Sequence, residues 1–273
     1  MDSVHSAFVV LSLIFVLKEQ PLISLCFFVL ALNTKLQSII YLPVIGLLLL
    51  PHFIKSYHVL LKSLGVILVT QLIILIPFIL ADSLGGLWKV VVGAEGRHPM
   101  VSMNAFNFWY YFFDTDINPA KVDDVTIFAL GISYKAWGRA LFFIFSTIAL
   151  LPLLKHCIKW IKNKRLPDTT AYELVFLSAG LITIIFFYFN TQMHERYSHP
   201  AIILFFFYAV TSKRYLLYIL CSLAYVFNME RVLKAWDFEN YITTLIFNQD
   251  FIASIYGFII LASIYRLYKT YFK

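Results

Sequence analysis

The sequence predicts an all-α fold, a polytopic bundle of transmembrane helices. Three observations carry that prediction. Of 273 residues, 61% are hydrophobic. Only 14% are charged, against about 25% in an ordinary soluble domain. The apolar residues fall in long runs, and the basic residues sit in short clusters between them. This excludes a soluble enzyme, a disordered chain and a disulfide scaffold. The net charge of +7 does not point to nucleic acid, because topology accounts for lysines and arginines placed beside apolar runs.

A bilayer core about 30 Å thick asks for roughly 20 mostly apolar residues per spanning helix. Nine segments qualify as spans: Ser3–Leu17, Pro21–Leu32, Ser38–Phe53, Leu64–Leu80, Ala140–Leu154, Tyr172–Phe189, Ala201–Thr211, Tyr215–Phe227 and Phe251–Leu267. Several are short, and the first two also suit a re-entrant hairpin. The whole chain, 1–273, reads as one transmembrane domain. Asp82–Gly138 forms an external loop of 57 residues, too long for a simple connector. Within it, Leu84–Val92 and Val125–Tyr134 suit amphipathic pieces at the membrane interface.

Charge orients the stack. The turns near Lys18, Pro51–Lys62, Lys155–Arg165, Ser212–Arg214 and Arg266–Lys273 all fall on one side. They hold 13 basic residues, opposed only by Glu19, Asp168 and Glu173. The remainder carries 9 basic and 12 acidic residues. Cytoplasmic loops collect Lys and Arg, so the basic side and the C-terminus are expected inside. Nine spans then place Met1 outside with no basic leader before it, and the expectation is that helices precede it in a longer protein. The three cysteines, Cys26, Cys157 and Cys221, have neither disulfide nor zinc spacing.

Every concentrated polar cluster beside an apolar run falls on the external side. The sharpest is Asn190-Thr191-Gln192-Met193-His194-Glu195-Arg196-Tyr197-Ser198-His199-Pro200. Ionisable groups at membrane depth are costly and tend to serve function. Arginine offers a planar fork matched to phosphate oxygens. Histidine donates to phosphate or moves a proton near neutral pH. The plainer alternative is a polar hairpin in which Arg196 snorkels and pairs with Glu195. A zinc-protease motif does not fit, because His199 follows His194 at i+5 rather than i+4. The second cluster is Asn33-Thr34-Lys35-Leu36-Gln37, where Lys35 is the only charge from Pro21 to Phe53. It suits either an anion contact or a snorkelling lysine. The third, Asn104-Ala105-Phe106-Asn107-Phe108-Trp109, sets amides beside aromatics, as a sugar-binding surface does and as an interfacial anchor does too. Asp2 stands alone at the start.

In this order and on one side, the clusters resemble the C-terminal part of GT-C integral-membrane glycosyltransferases. The nearest subgroup is the bacterial mannosyltransferase-like enzymes related to the GPI mannosyltransferases. Asp2 matches the end of their Gly-Gln-x-Asp segment. Lys35-Leu36-Gln37 matches Lys-Pro-Gln, with leucine for proline. Asn104, Asn107 and Trp109 match Asn-x-x-Asn-x-Trp, and Met193-His194-Glu195-Arg196-Tyr197 matches the last motif in full. The resemblance covers nearly all 273 residues. It implies transfer of a hexose, with mannose the suggested sugar, from a polyprenyl-phosphate donor to a glycan, lipid or protein acceptor. The reaction would run on the outer face of a bacterial plasma membrane. His194, Glu195, Arg196, Tyr197, Lys35 and Gln37 would hold the donor phosphate. Asn104, Asn107 and Trp109 would hold sugar or acceptor. The family's general base lies before the Gly-Gln-x-Asp segment, so the expected base is outside this chain, with Asp2 a poor substitute at a mobile end. No cofactor is expected, and no ligand set supports a divalent metal. The alternative is a non-enzymatic carrier or flippase subunit for lipid-linked sugars.

Overall fold

A computed structural model describes residues 2–93, 96, 98–113, 117–235 and 245–272. The helices are α1 (Asp2–Leu17), α2 (Pro21–Thr34), α3 (Leu42–Lys55), α4 (Tyr57–Leu80), α5 (Leu84–Val92), α6 (Tyr134–Lys162), α7 (Tyr172–Phe189), α8 (His199–Ser212), α9 (Leu216–Leu233) and α10 (Gln249–Tyr271). Short strands are β1 (Ser102–Met103), β2 (Ile127–Ala129), β3 (Ile132–Ser133) and β4 (Met193–His194). Among the described residues, six helical segments are long and apolar enough to cross a membrane. These are Leu36–Lys55, Tyr57–Leu80, Tyr134–Lys162, Thr169–Phe189, Leu216–Leu233 and Gln249–Tyr271. Helices α1 and α2 are apolar but shorter. At about 1.5 Å per residue, α1 reaches roughly 24 Å, short of a hydrocarbon core of about 30 Å. Helix α8, at 14 residues, is short as well.

Several boundaries differ from the sequence expectation; α6, for one, runs over Tyr134–Lys162 against the expected Ala140–Leu154, so Lys155, Lys159 and Lys162 are helical. The turn expected over Pro51–Lys62 is Ser56 alone, since α3 runs through Pro51 to Lys55 and α4 begins at Tyr57. Lys62 therefore belongs to a helix. The segment Val125–Tyr134 is not an amphipathic piece. It holds the antiparallel hairpin β2–β3, which turns at Leu130 (φ 54°) and Gly131 (φ 73°). Two consecutive left-handed residues end any helix there, and they match the type I′ geometry that closes tight hairpins. Leu84–Val92 is a helix with no buried residue.

The chain divides into two compact units. The first comprises Met1–Arg97 and Pro152–Val175. In it α1 packs along α2, α2 also packs on α4, and Leu13, Val16, Leu17, Leu25 and Phe28 are buried. Polar side chains on these helices satisfy one another, one pair buried and one exposed. The Ser12 and Ser24 hydroxyls share a hydrogen bond of 3.1 Å. Asn33 and Gln71 exchange two amide bonds of 2.8 and 3.1 Å. Such reciprocal pairing is what a polar group needs where water is absent.

The second unit comprises His98–Leu151 and Phe176–Lys273. Its core is the stretch of α7 from Phe176 to Phe189, of which all but Phe186 are buried. Helices α8, α9 and α10 pack in sequence order, α8 on α9 and α9 on α10. Gly180 permits a close approach: a Cβ there would lie 2.9 Å from the Phe205 ring. Tyr256 of α10 is fully buried, 4.8 Å from the Phe187 ring.

Candidate functional site

The residues singled out in the sequence fall into two groups, one in each unit. In the first unit, Asp2 opens α1, and Lys35 lies in extended backbone between α2 and the 3-10 turn Leu36–Tyr41. The Lys35 Nζ donates to the Asp2 carboxylate in a half-buried ion pair. Residues 33 positions apart are thus joined, and Lys35 is neutralised where it stands. Asp2 carries a cation on its carboxylate, which works against proton abstraction. Gln37, in the same 3-10 turn, is partly buried.

The second unit brings together the loop motif and the His194–Tyr197 motif. Strand β1 runs parallel to β4, with Ser102 opposite Met193 and Met103 opposite His194. A further bridge joins Asn104 to His194. The pairing can form because each segment leaves its turn extended. Asn104 (φ 61°) and Gln192 (φ 61°) take the left-handed conformation that asparagine tolerates better than most residues. The Gln192 N–H donates to the Met100 carbonyl at 3.0 Å.

Asn107 and Trp109 are fully buried, and their polar groups are used on backbone. The last turn of a helix leaves carbonyls without intrahelical donors. In α7 these are supplied from side chains. The Asn107 amide donates to the Phe187 carbonyl at 3.1 Å, and the Trp109 indole N–H donates to the Phe189 carbonyl at 2.9 Å. The Asn190 amide donates to the Phe186 carbonyl at 3.1 Å. Asn107 and Trp109 therefore hold the end of α7 from which residues 190–197 spring. With no exposed surface, they present no face for a sugar to stack on. Asn104 is the exposed member of the trio.

Two residues outside the sequence motifs complete this brace. Asn228 of α9 is fully buried and grips the loop turn with both ends of its amide. It donates to the Asn104 carbonyl at 2.8 Å and accepts from the Phe106 N–H at 3.1 Å. Asp124, also fully buried, accepts from the Thr191 hydroxyl and the Gln192 amide, both at 2.8 Å. Nothing in local sequence marks either residue, because their partners lie 67 to 124 positions away. The one available cue is a polar asparagine near the end of an otherwise apolar helix.

On this frame sits the 3-10 turn Glu195–Ser198. Ser198 anchors it by a buried 2.9 Å hydrogen bond with the Tyr256 hydroxyl. The His194 ring lies 5.6 Å edge-on from that of His98 and 5.3 Å from that of Tyr197. The Arg196 side chain is exposed and makes no hydrogen bond or salt bridge with the described residues. Glu195 pairs with His194 rather than Arg196, at 3.8 Å, too long for a hydrogen bond but close enough for charge attraction. The snorkelling Arg196–Glu195 pair considered from sequence is not formed.

Burial alone would raise the Glu195 pKa, but the neighbouring His194, its own backbone and the Arg196 charge together hold it below its ordinary value. A carboxylate with a lowered pKa stabilises the fold above its unfolded pKa and loses that contribution as pH falls through the folded value. The stability advantage of the wild type over Glu195→Gln is therefore expected to be full at pH 7 and to vanish on acidification below the ordinary carboxylate range. Melting temperatures of the two proteins across pH 3–7 check this, and a constant difference would exclude it.

No family model, curated protein or solved structure matches the chain. Among the described residues, no group of three or more His, Cys, Asp or Glu side chains is placed to hold a metal ion. What the site can do is therefore read from its geometry. An exposed guanidinium, a histidine and a tyrosine sit on or beside a braced turn at the end of a buried helix, next to an exposed asparagine.

Proposed function

We propose that this chain is the donor-phosphate-binding part of an integral-membrane glycosyltransferase. It would transfer a hexose from a polyprenyl-phosphate carrier to an acceptor on the outer face of the membrane. The observation that carries the reading is the β1–β4 pairing with its Asn104–His194 bridge. It sets two motifs about 90 residues apart against each other, as a shared site requires. The Lys35–Asp2 pair does the same for the first two motifs within their own unit.

The chemistry follows from charge. When a glycosyl–phosphate bond breaks, negative charge grows on the departing phosphate, and fixed cations aimed at it lower the barrier. Arg196 supplies the permanent cation and His194 a ring N–H donor. The Glu195 carboxylate lies beside that ring. The acceptor hydroxyl must also lose a proton to a base, and Asp2, engaged by Lys35, is poorly placed for that role. In this reading the chain lies in the plasma membrane with its C-terminus inside. Nine helices cross or enter the bilayer, arranged as in GT-C enzymes.

The test is transfer itself. Membranes containing the natural full-length product are given a labelled polyprenyl-phosphate hexose. Label is expected to move to an endogenous acceptor above the level of membranes without the protein. Movement of intact lipid-linked sugar across the bilayer, with no transfer, would overturn the reading in favour of a carrier.

A further inference from the structure

The last two turns of α6 carry a cationic surface that the proposed donor chemistry does not use. Helix α6 has 29 residues, about 43 Å at 1.5 Å per residue, against a hydrocarbon core of about 30 Å. Its apolar run ends at Leu154, so residues 155–162 stand at headgroup depth. Lys155, Lys159 and Lys162 follow i, i+4 and i+7 and share one helical face. Leu153 and Cys157, both fully buried, take the opposite face. Trp160, half-buried on the same turns, is of the residue type that collects at membrane–water interfaces.

The helix end fixes two more cations. Lys164 takes the left-handed conformation (φ 53°). Its N–H donates to the Ile161 carbonyl at 3.1 Å, and the Arg165 N–H donates to the Trp160 carbonyl at 2.9 Å. This pair of bonds closes a helix at a residue of positive φ. Lys159, Lys162, Lys164 and Arg165 are all exposed, and their side chains bond no described residue.

The plain explanation is that lysine and arginine suit the inner end of a span, and the partial charge of about −0.5 at a helix C-terminus. Orientation asks only that cations lie near the span. It does not ask three of them to share a face, where like charges at i+3 and i+4 repel. Nor do nearby acids cancel them. Five cations lie in residues 155–165, and the next acidic residues are Asp168 and Glu173. The Asp168 carboxylate is engaged in capping the Thr169–Ala171 turn, accepting from the Thr170 N–H at 2.9 Å. With both carboxylates and the helix end counted, about 2.5 positive charges remain. Turns 18–20 and 55–56 of the same unit add Lys18 and Lys55 against Glu19. Every residue from Pro152 to Val175 is described. The undescribed residues of this unit, 1, 94, 95 and 97, precede α1 or follow α5, away in the chain from this helix end.

Four to eight cations immediately beyond a spanning helix suit anionic headgroups. We propose that the 155–165 end of α6 is a docking surface for the headgroups of anionic phospholipids. The exposed Leu154 and Ile158 flank the charged face and meet the acyl chains of the same lipids. The surface requires only that α6 crosses a membrane, and it would stand if the transferase reading fell.

The natural full-length protein is reconstituted in phosphatidylcholine bilayers with a trace of phosphatidylglycerol spin-labelled on an acyl chain. The motionally restricted share of this label is compared with that of spin-labelled phosphatidylcholine. A preference for phosphatidylglycerol is expected, fading as added sodium chloride shortens the Debye length from about 10 Å to about 3 Å. It should fall at least about fivefold in Lys159→Gln/Lys162→Gln. It should hold in Lys159→Arg/Lys162→Arg, and in Lys213→Gln/Arg214→Gln, which removes the same charge from another basic turn. All four mutated side chains are exposed, so melting temperatures should match the wild type. A wild type with no preference would overturn the proposal. An equal loss in the two glutamine variants would overturn it too, because the basic turns together, and not this face, would then attract the lipid. Inorganic phosphate that displaces the label where chloride of equal ionic strength does not would mark a site for a soluble anion and overturn it as well.

Discussion

Replacing Arg196 with alanine is expected to lower transfer from a polyprenyl-phosphate sugar by about 100- to 1,000-fold, the usual loss when one group stabilising transition-state charge is removed. The guanidinium is exposed, and no described residue bonds it, so its removal exposes no buried partner and should not disturb folding. The turn that carries it is fixed elsewhere, by Ser198 on Tyr256 and by the His194 bridge to Asn104. Arg196→Lys should recover only part of the rate, because a lysine keeps the charge and loses the two-pronged contact. The check is kcat on purified variants whose melting temperatures match the wild type. An Arg196→Ala enzyme with unchanged kcat would remove this residue from the mechanism.

The second large effect is structural. Trp109→Ala should cost about 3–5 kcal/mol of stability, as other buried Trp-to-Ala changes do. Trp109 has no exposed surface, and its ring packs edge-on against Phe128 at 5.5 Å and Tyr134 at 5.3 Å. Its indole N–H also caps the end of α7, so the change leaves the Phe189 carbonyl buried without its donor. Trp109→Phe isolates that part, restoring apolar volume without the N–H, and should cost about 1–3 kcal/mol. Denaturant titrations in detergent measure both. If Trp109→Ala lost under about 1 kcal/mol, the side chain would not be the brace described here.

The helices were legible because a bilayer leaves the chain few choices. Tyr172–Phe189 ends where its apolar run ends, and α7 occupies the same residues. Helix α4 starts seven residues before the segment expected at Leu64, since Lys62 interrupts the apolar run without breaking the backbone. Lysine is a good helix former, and its long stem can carry the charge toward an interface. In the loop, sequence pattern was a weaker guide. Leu130 and Gly131 turn a hairpin where an amphipathic piece was expected, because a single left-handed pair outweighs apolar spacing.

At the candidate site, residue type does not distinguish residues that brace the fold from residues that face outward. Asn104, Asn107 and Trp109 look alike as a motif. They differ in that Asn107 and Trp109 meet carbonyls about 80 residues further on, and Asn104 does not. Burial made by a distant segment leaves no local trace.

The parallel pairing of Ser102 with Met193 also sets a timetable. A ribosome adds about 5–20 residues per second, so roughly 5–18 s pass between synthesis of one strand and its partner. During that interval the loop has no α7 end to cap and no Asn228 to grip it. Contacts that need only the loop itself are available from the start, namely Trp109, Phe112, Phe128 and Tyr134 against one another. This aromatic cluster is the part of the loop that can form early and wait. The turn Glu195–Ser198 is then a late product of folding, braced only after α7 and α9 have been made.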